Sequence, residues 1–376
     1  MKQTRRLMAL DVLRGITVAG MIMVNNPGSW EHIFAPLRHA EWHGLTPTDL
    51  VFPFFMFIMG VSTAFSLKRF DYRLSGALAA KIFRRTLVIF LLGLVLDRVG
   101  AFVWGCTGAE GLADGLRAAF NADSIRIPGV LQRLAVCYCA AALIASTMSQ
   151  RAVKWLVWLL LGGYAAVLLT LDGLSFTMDN VVGMVDRALL GENHLYHEHA
   201  YGMSLPIDPE GILSTIPSVA HTLLGYLAGR MLLEVRDVRE QMLKLMTAGI
   251  LLTLAGWLLS YGMPLNKKIW SPTFVLTTCG MASGLLGVLI WWVDVKGHRA
   301  WSRVFLVFGV NPLLLYVTSG VLAVLAGVWP GEAPYQWLAR LTGSPEWASV
   351  LYALGFTLLN WAIGYPLWRK RIYVKI

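Results

Sequence analysis

Two histidines stand just before an apolar segment in the string "RHAEWHGLTPTDLVFPFFMFIMG", residues 38–60. His39 and His43 flank Glu41, and Asp49 opens the apolar run. Imidazole titrates near neutral pH and serves as a general base, and this makes proton transfer the chemistry to test. From the residues alone, an ordinary loop histidine is the simpler interpretation of His39. We favour Asp49 as the cap of its helix over Asp49 as the group that orients His39.

The composition restricts where such chemistry takes place. Of the 376 residues, 56% are hydrophobic and only 14% are charged, whereas a soluble domain carries roughly 25% charged residues. The chain is therefore predicted to be a multi-pass membrane protein. Its net charge of +10 lies in short basic runs between apolar segments, a pattern that encodes membrane topology rather than nucleic-acid binding.

Apolar stretches long enough to cross a bilayer recur along the chain. They predict an all-α polytopic fold that forms a single domain over residues 1–376 and lies in a lipid bilayer. We place ten spans near 7–26, 49–67, 79–97, 127–148, 152–171, 211–233, 242–262, 272–293, 303–328 and 347–368. With both termini in the cytoplasm, 22 of the 32 lysines and arginines fall on the cytoplasmic side. This asymmetry favours cytoplasmic termini.

Charged residues within spans are costly and usually face a cavity. Arg14 and Asn25 lie on one face of the first predicted span, and Asp11 is one turn from Arg14. Two interpretations explain this polar face. It lines a functional cavity, or it holds a structural ion pair and a polar residue that contacts another helix.

A second group of basic residues begins the fourth predicted span. Pro128 suits a first helical turn, so that Arg126 and Arg133 are expected on one helical face. Arg133 lies too deep to reach water easily, which predicts an interior carboxylate or phosphate partner.

Further polar residues cluster at the predicted outer ends of spans. Asp208 and Glu210 precede the sixth span, and Lys267, Lys268 and Trp270 precede the eighth. Asn311 and Pro312 interrupt the ninth, as in helices that line a cavity. The string "ENHLYHEH", residues 192–199, fits a metal site or, as we favour, a solvated loop.

Several of these strings resemble one known family. "LDVLRGITVAGMIMVNN" followed by "HAEWHGLTPTDLVFPFFMFIMG" is similar to the heparan-α-glucosaminide N-acetyltransferase family of transmembrane acyltransferases. "RIPGVLQRLAVCY", "IDPEGILST", "PLNKKIWSPTFVL" and "GVNPLLLY" resemble later blocks of the family in the same order. The resemblance covers nearly the whole chain.

The resemblance implies an enzyme that moves acetyl from cytosolic acetyl-CoA, a co-substrate, to an amino sugar of the glucosamine type across the membrane. It places the catalytic histidine on His39 and a catalytic asparagine on Asn25, and it implies a homodimer without a metal. Arg14 and Arg133 are the candidates for CoA binding. The candidates for acceptor binding are Arg126, Asp208, Glu210, Lys268, Trp270 and Asn311.

Two other classes of protein fit parts of the pattern. A transporter of amino sugars would use the same polar cavity, and the interrupted ninth span fits it. A purely structural membrane protein fits less well, because of its intramembrane charges. The basic runs favour the inner membrane of a bacterium, with the acceptor side facing the periplasm. Free amino sugars and amino sugars within polymers are both candidate acceptors.

Overall fold

The computed structural model describes residues 7–328 and 334–374, which are helical apart from one short hairpin. The hairpin pairs β1 (Glu198–Ala200) with β2 (Met203–Leu205) in antiparallel fashion. The α-helices of the described residues are α1 (Met8–Val24), α2 (Val51–Leu67), α3 (Gly76–Gly105), α4 (Leu112–Phe120), α5 (Val130–Thr147), α6 (Gln150–Thr170), α7 (Val181–Leu190), α8 (Thr215–Glu234), α9 (Val238–Leu259), α10 (Pro272–Leu289), α11 (Ser302–Val310), α12 (Pro312–Gly327), α13 (Pro334–Thr342) and α14 (Pro345–Arg369). The predicted all-α fold class is confirmed.

The number of candidate membrane spans is smaller than the sequence suggested. Seven helices of the described chain are long and apolar enough to cross a membrane, or eight if the bent pair α11 and α12 forms one span. Each of the ten predicted segments contains a helix, but α1 and α8 do not belong to this set. The 17 residues of α1 reach only about 25 Å against a hydrocarbon core of about 30 Å. Ser218, His221 and Thr222 interrupt the apolar character of α8.

Capping side chains explain where several helices begin. Ser75, Ser149 and Ser271 each accept a hydrogen bond from a backbone N–H in the first turn of α3, α6 and α10. The helix of the fourth predicted span begins later than expected, because α5 starts at Val130 rather than at Pro128. Arg126 therefore precedes the helix, and the prediction that it shares a helical face with Arg133 is wrong.

Glycines let the central helices approach closely. A Cβ atom added at Gly60 of α2 would lie 2.0 Å from the carbonyl oxygen of Thr222 on α8, and one at Gly225 would lie 2.2 Å from that of Phe57. Small residues at such crossings allow van der Waals contact between helices, which drives helix association in membranes. The pair α2–α8 therefore forms a rigid centre, and the functional loops lie at one end of it.

The break in the ninth predicted span is confirmed. The helices α11 and α12 meet at Asn311 with a bend of 85°, and Pro312 is the first residue of α12. The Asn311 side chain donates to the carbonyl of Ile372 at 2.8 Å and accepts from the N–H of Val374 at 2.9 Å. The amide thus ties the C-terminal segment to the break.

The glycine contact predicts a sharp difference between two substitutions. We expect Gly60→Val to destabilise the protein by about 1–3 kcal/mol, because the added side chain must displace the α8 backbone. Gly162→Ala on α6 is the matched control, since a Cβ there has no atom within 4 Å. Thermal unfolding in detergent measures both, and an unchanged Tm for Gly60→Val would contradict the packing described here.

Candidate active site

The loop before α2 is held from two sides. The Trp42 side chain is buried, donates from Nε1 to the carbonyl of Leu174 at 2.8 Å, and packs against Phe176 with ring centroids 4.8 Å apart. Gly44 donates its N–H to the carbonyl of Leu265 at 2.8 Å. Its φ of 125° favours glycine. These contacts fix the loop that carries His39.

His39 is bound to a buried carboxylate. Its Nδ1 lies 2.6 Å from Oδ1 of Asp49, whose side chain is only 1% exposed. The other oxygen, Oδ2, accepts hydrogen bonds from the N–H of Ala40 and from the N–H and hydroxyl of Thr46. Asp49 therefore caps the helical start and also orients His39, so our preference for the cap alone was incomplete.

The contacts of Asp49 decide which imidazole nitrogen is available. A carboxylate surrounded by donors acts as an acceptor, so Nδ1 of His39 carries the hydrogen that points to it. Nε2 is then the basic nitrogen, and it makes no hydrogen bond within the described residues. This arrangement suits a general base whose partner fixes its tautomer.

A lysine completes this cluster. The Nζ atom of Lys267 lies 3.2 Å from Nδ1 of His39 and 3.5 Å from Oδ1 of Asp49. Burial lowers the pKa of His39 below its usual value; Asp49 opposes this effect and Lys267 adds to it. Burial also lowers the pKa of Lys267, although Asp49 favours its charged form. The neutral form of His39 is consequently favoured.

The turn that carries Lys267 is rigid. Asn266 is fully buried, accepts from the N–H of Ile269 at 3.1 Å, and its amide nitrogen lies 3.4 Å from Nδ1 of His43. The next residue along, Lys268, contacts Glu198 on β1 with Nζ 2.7 Å from Oε1. Adjacent lysines thus reach two different carboxylates.

The second predicted outer cluster is an ion network. Arg126 donates from Nε and Nη2 to both oxygens of Asp208, at 2.9 and 2.7 Å, and from Nη2 to Glu210 at 2.7 Å. Burial lowers the pKa of Arg126, but the hydrogen bonds and charges of these two carboxylates outweigh it and raise the pKa. The Tyr196 ring faces the guanidinium at 4.9 Å, and Tyr196 is only two residues from Glu198.

Arg133 lies next to this network but has different partners from those predicted. The side chain is 2% exposed and donates to the carbonyl of Gly211 and to the hydroxyl of Ser214. Its guanidinium also lies 5.3 Å from the ring of Trp270. No carboxylate pairs with Arg133 among the described residues, and its Nε and Nη1 are buried there without a hydrogen-bond partner, so the expected carboxylate or phosphate partner stays a prediction. Trp270 is 1% exposed and belongs to the protein core.

A separate cavity lies among α1, α2, α3 and α12. Its volume is about 510 Å³. Its lining includes the polar side chains of Arg14, Ser62, Arg85 and Asn311, together with Val374 of the C-terminal segment. The predicted pair of Arg14 with Asp11 is confirmed at 3.0 Å. Arg14 also donates to the hydroxyl of Ser62 at 2.8 Å and to the carbonyl of Gly309 at 3.3 Å.

Arg85 has spare hydrogen-bonding capacity in this cavity. Its Nε is buried without a hydrogen-bond partner among the described residues, and its guanidinium lies over the Tyr138 ring at 4.6 Å. A cavity of this size with two guanidinium groups on an apolar lining suits a ligand with both phosphate and apolar parts.

Asn25 ends α1 as its C-cap. Gly20 of the same helix packs against Val51, with an added Cβ 3.0 Å from that side chain. Asn25 is five residues further along, about 7.5 Å towards the end of α2 that carries Asp49. Among the described residues no hydrogen bond links Asn25 to His39, so the two share an end of the helices without direct contact.

Sequence reasoning missed four residues of these sites. The orienting role of Asp49 and the contacts of Lys267 depend on loop geometry, although both residues stood in the strings that drew attention. Glu198 was placed in a solvated loop, yet it is only 4% exposed. Arg85 stands in no string with a functional pattern, and only the fold places it beside Arg14.

Comparison with known proteins shows the family of this chain. The profile of the family described as "Heparan-alpha-glucosaminide N-acetyltransferase, catalytic" matches residues 6–261. The human heparan-alpha-glucosaminide N-acetyltransferase is 30% identical and the mouse protein 29% identical, each over 99% of this chain. The chain spans 60% of the length of both relatives. The chain belongs to the heparan-alpha-glucosaminide N-acetyltransferase catalytic family.

Proposed function

We propose that the chain is a membrane N-acetyltransferase that uses acetyl-CoA from the cytosolic side to acetylate a glucosamine-type sugar on the opposite side. The observation that carries the proposal is the pair of His39 and buried Asp49 at the end of a membrane helix, with Nε2 of His39 left as the basic nitrogen. Family membership supplies the reaction type, since both relatives are named for the acetylation of a glucosaminide.

The chemistry follows from the two nitrogens of the imidazole. Nε2 of His39 accepts a proton from the acceptor amine as the amine nitrogen attacks the thioester carbonyl. The tetrahedral intermediate then expels the CoA thiolate, which recovers the proton from Nε2. Asp49 stabilises the transient imidazolium through Nδ1. Alternatively, Nε2 carries the acetyl group between donor and acceptor, and this route uses the same nitrogen.

Asn25 is the proposed donor to the oxyanion. An amide N–H that points at the developing negative charge contributes about 3 kcal/mol in other acyl transfers. Asn25 is exposed at the end of α1, on the side of α2 where Asp49 lies, so its amide is available to a substrate carbonyl.

The donor fits the cavity that Arg14 and Arg85 line. Ser62, Met59 and Phe55 contribute to its wall, and their spacing of three and four residues places them along one face of α2. Phe55 is six residues from Asp49, about 9 Å along the helix axis. We propose that the CoA phosphates bind the arginines and that the pantetheine arm follows this face towards His39.

The acceptor is proposed to bind at the outer cluster. Arg126, Glu210 and Lys268 keep part of their side chains exposed, at 29%, 11% and 14%, and suit contacts with sugar hydroxyls. Asp208 and Trp270 are buried, so they support these residues. Asn311 belongs with the donor cavity, and Arg133 holds the start of α8 beside the acceptor site. A metal has no role in this scheme.

The proposed membrane arrangement has ten spans, in which α1 and α8 cross the membrane in addition to the seven helices and the bent pair of α11 and α12 that the described chain offers. We propose one domain over residues 1–376 in the inner membrane of a bacterium, with both termini in the cytoplasm and His39 at the periplasmic end of α2. The excess of basic residues on the opposite side supports this orientation. The homodimer implied by the family resemblance is a further prediction.

A transporter of amino sugars is the second candidate function. The 85° bend between α11 and α12 favours it, because broken helices form substrate sites in many transporters. Uptake of labelled glucosamine into proteoliposomes without release of CoA would support this reading against acetyl transfer.

Replacement of the base tests the proposal directly. We expect His39→Ala to lower kcat for glucosamine-dependent CoA release by about 10²–10⁴-fold, because no other group takes the proton of the amine. Acetyl-CoA binding, measured by isothermal titration in detergent, should be retained. His298→Ala, a substitution of an exposed histidine outside both sites, is the control. Equal activity of His39→Ala and the wild type would contradict the assignment.

Asp49→Asn tests whether the negative charge of Asp49 is needed to hold the tautomer of His39. The amide keeps the shape of the carboxylate but lacks its charge, so Nδ1 loses the partner that fixes its tautomer. We expect a fall in kcat of about 10²-fold or more with little change in the KM for acetyl-CoA. Full activity of this variant would remove Asp49 from the mechanism.

Arg85 tests the donor site. We expect Arg85→Ala to raise the KM for acetyl-CoA by about tenfold or more, because it removes charge-assisted hydrogen bonds to phosphate. Arg84→Ala is the matched control, since Arg84 is exposed and does not line the cavity. If Arg85 contacts the 3′-phosphate, acetyl-dephospho-CoA will show no further loss in the variant. Unchanged KM values would place the donor elsewhere.

A further inference from the structure

Lys267 has no task in the reaction proposed above, yet it touches both members of the catalytic pair. Its Nζ atom lies 3.2 Å from Nδ1 of His39 and 3.5 Å from Oδ1 of Asp49. Its side chain is only 15% exposed. A buried ammonium group costs free energy unless nearby groups compensate it, so this position needs a physical reason.

We propose that Lys267 is a positioning residue that keeps the imidazole of His39 unprotonated beside the buried carboxylate of Asp49. The catalytic consequence rests on the proposed acetyl transfer. The effect on the charge of His39 is a property of the cluster alone and is measurable without any turnover.

The proposal follows from the balance of charges around one imidazole. A carboxylate 2.6 Å away favours the imidazolium, and a histidine that is already protonated takes no proton from an amine. A lysine ammonium beside the same two groups opposes a second positive charge. It also compensates Asp49, so the carboxylate stays ionised and keeps its hydrogen bond to Nδ1.

Of the two lysines near His39, Lys267 has the larger effect on its charge. The charged groups that act on His39 are Asp49, Lys267 and Lys268. Lys268 is paired with Glu198 at 2.7 Å, so much of its field is cancelled. Lys267 has Asp49 as its ion-pair partner within the described residues, with a further influence from Glu210. Burial is the main cause of the lowered pKa of His39, and Lys267 adds to it while Asp49 opposes it.

A merely structural role makes a different prediction. If Lys267 only fastens the loop of His39 to the turn before α10, its loss would lower stability and leave the titration of His39 unchanged. If it sets the charge, the titration moves even where the fold is intact. The titration midpoint of His39 is therefore the decisive measurement.

The experiment uses the full chain in detergent and diethyl pyrocarbonate, which reacts with the neutral imidazole of histidine but not with the imidazolium. Modification of His39 is distinguished from that of His43 by fragmentation of the peptide in the mass spectrometer as the pH is varied, and its rate gives the midpoint. The His39 side chain is 29% exposed, which makes it accessible to the reagent. In the wild type we expect a midpoint below 6.5, the ordinary value for histidine.

Removal of the ammonium should raise this midpoint. We expect Lys267→Met and Lys267→Gln each to shift it upwards by about one pH unit, because only the carboxylate then acts at close range. Lys267→Arg keeps the positive charge and should restore the wild-type midpoint. Lys244→Met removes an exposed lysine that pairs with Glu240 on α9 and should leave it unchanged.

The outcomes separate the two proposals. An unchanged or lower midpoint in Lys267→Met and Lys267→Gln overturns the role of Lys267, as does a wild-type midpoint above 6.5. An equal shift in Lys244→Met overturns it as well, because the effect would then be a general one of net charge. Because burial also lowers the midpoint of His39, a wild-type value below 6.5 supports the role of Lys267 only together with the upward shift in Lys267→Met or Lys267→Gln.

Activity provides the link to catalysis. The acidic limb of the pH profile of kcat should move with the midpoint of His39, so that Lys267→Met loses activity at pH 7 and recovers it at higher pH. If the midpoint shifts but no variant or wild type transfers acetyl, the proposed function fails and the role of Lys267 stands. If acetyl transfer occurs and the midpoint does not shift, the reverse holds.

Discussion

One buried carboxylate organises the outer end of this protein. Asp49 is 1% exposed and binds the start of α2 through Thr46, the preceding loop through Ala40, and the imidazole of His39 through its second oxygen. A buried carboxylate is stable only when its oxygens are fully hydrogen-bonded or paired. The same contacts that satisfy Asp49 therefore fix the position and tautomer of His39, so that one residue both caps a helix and orients the proposed base.

The central helices explain how a membrane protein keeps two chemically different sites apart. Gly60 and Gly225 bring α2 and α8 into backbone contact, which makes α2 a rigid bar between the His39 loop and the cavity beside Arg14. In a bilayer the helices gain little from the hydrophobic effect, so such close packing supplies the stability. The polar groups then lie at helix ends or within a cavity, where water or a ligand compensates their charge.

The sequence predicted the helices but not the contacts around His39. Hydropathy located a helix in every predicted span, and only the family resemblance made His39 the candidate base. The sequence did not predict the start of α5, because a proline such as Pro128 can either begin a helix or lie in the extended segment before it. It also placed Glu198 in solvent, since only the hairpin and Lys268 bury that residue. Arg85 and Arg14 are 71 positions apart in the chain, and no local pattern brings them to one cavity.

The two adjacent lysines of the turn before α10 illustrate why chain order is a poor guide to function here. Lys267 reaches the carboxylate of Asp49 and Lys268 reaches that of Glu198, so each ammonium group has its own acidic partner. A left-handed backbone at Trp270, with φ of 54°, and the fully buried Asn266 hold this turn in one conformation. Because the turn is rigid, the distance from Lys267 to His39 is set by the fold rather than by side-chain mobility. An electrostatic influence on a catalytic base requires such a fixed distance, since the interaction energy of two charges depends on their separation and on the exclusion of water.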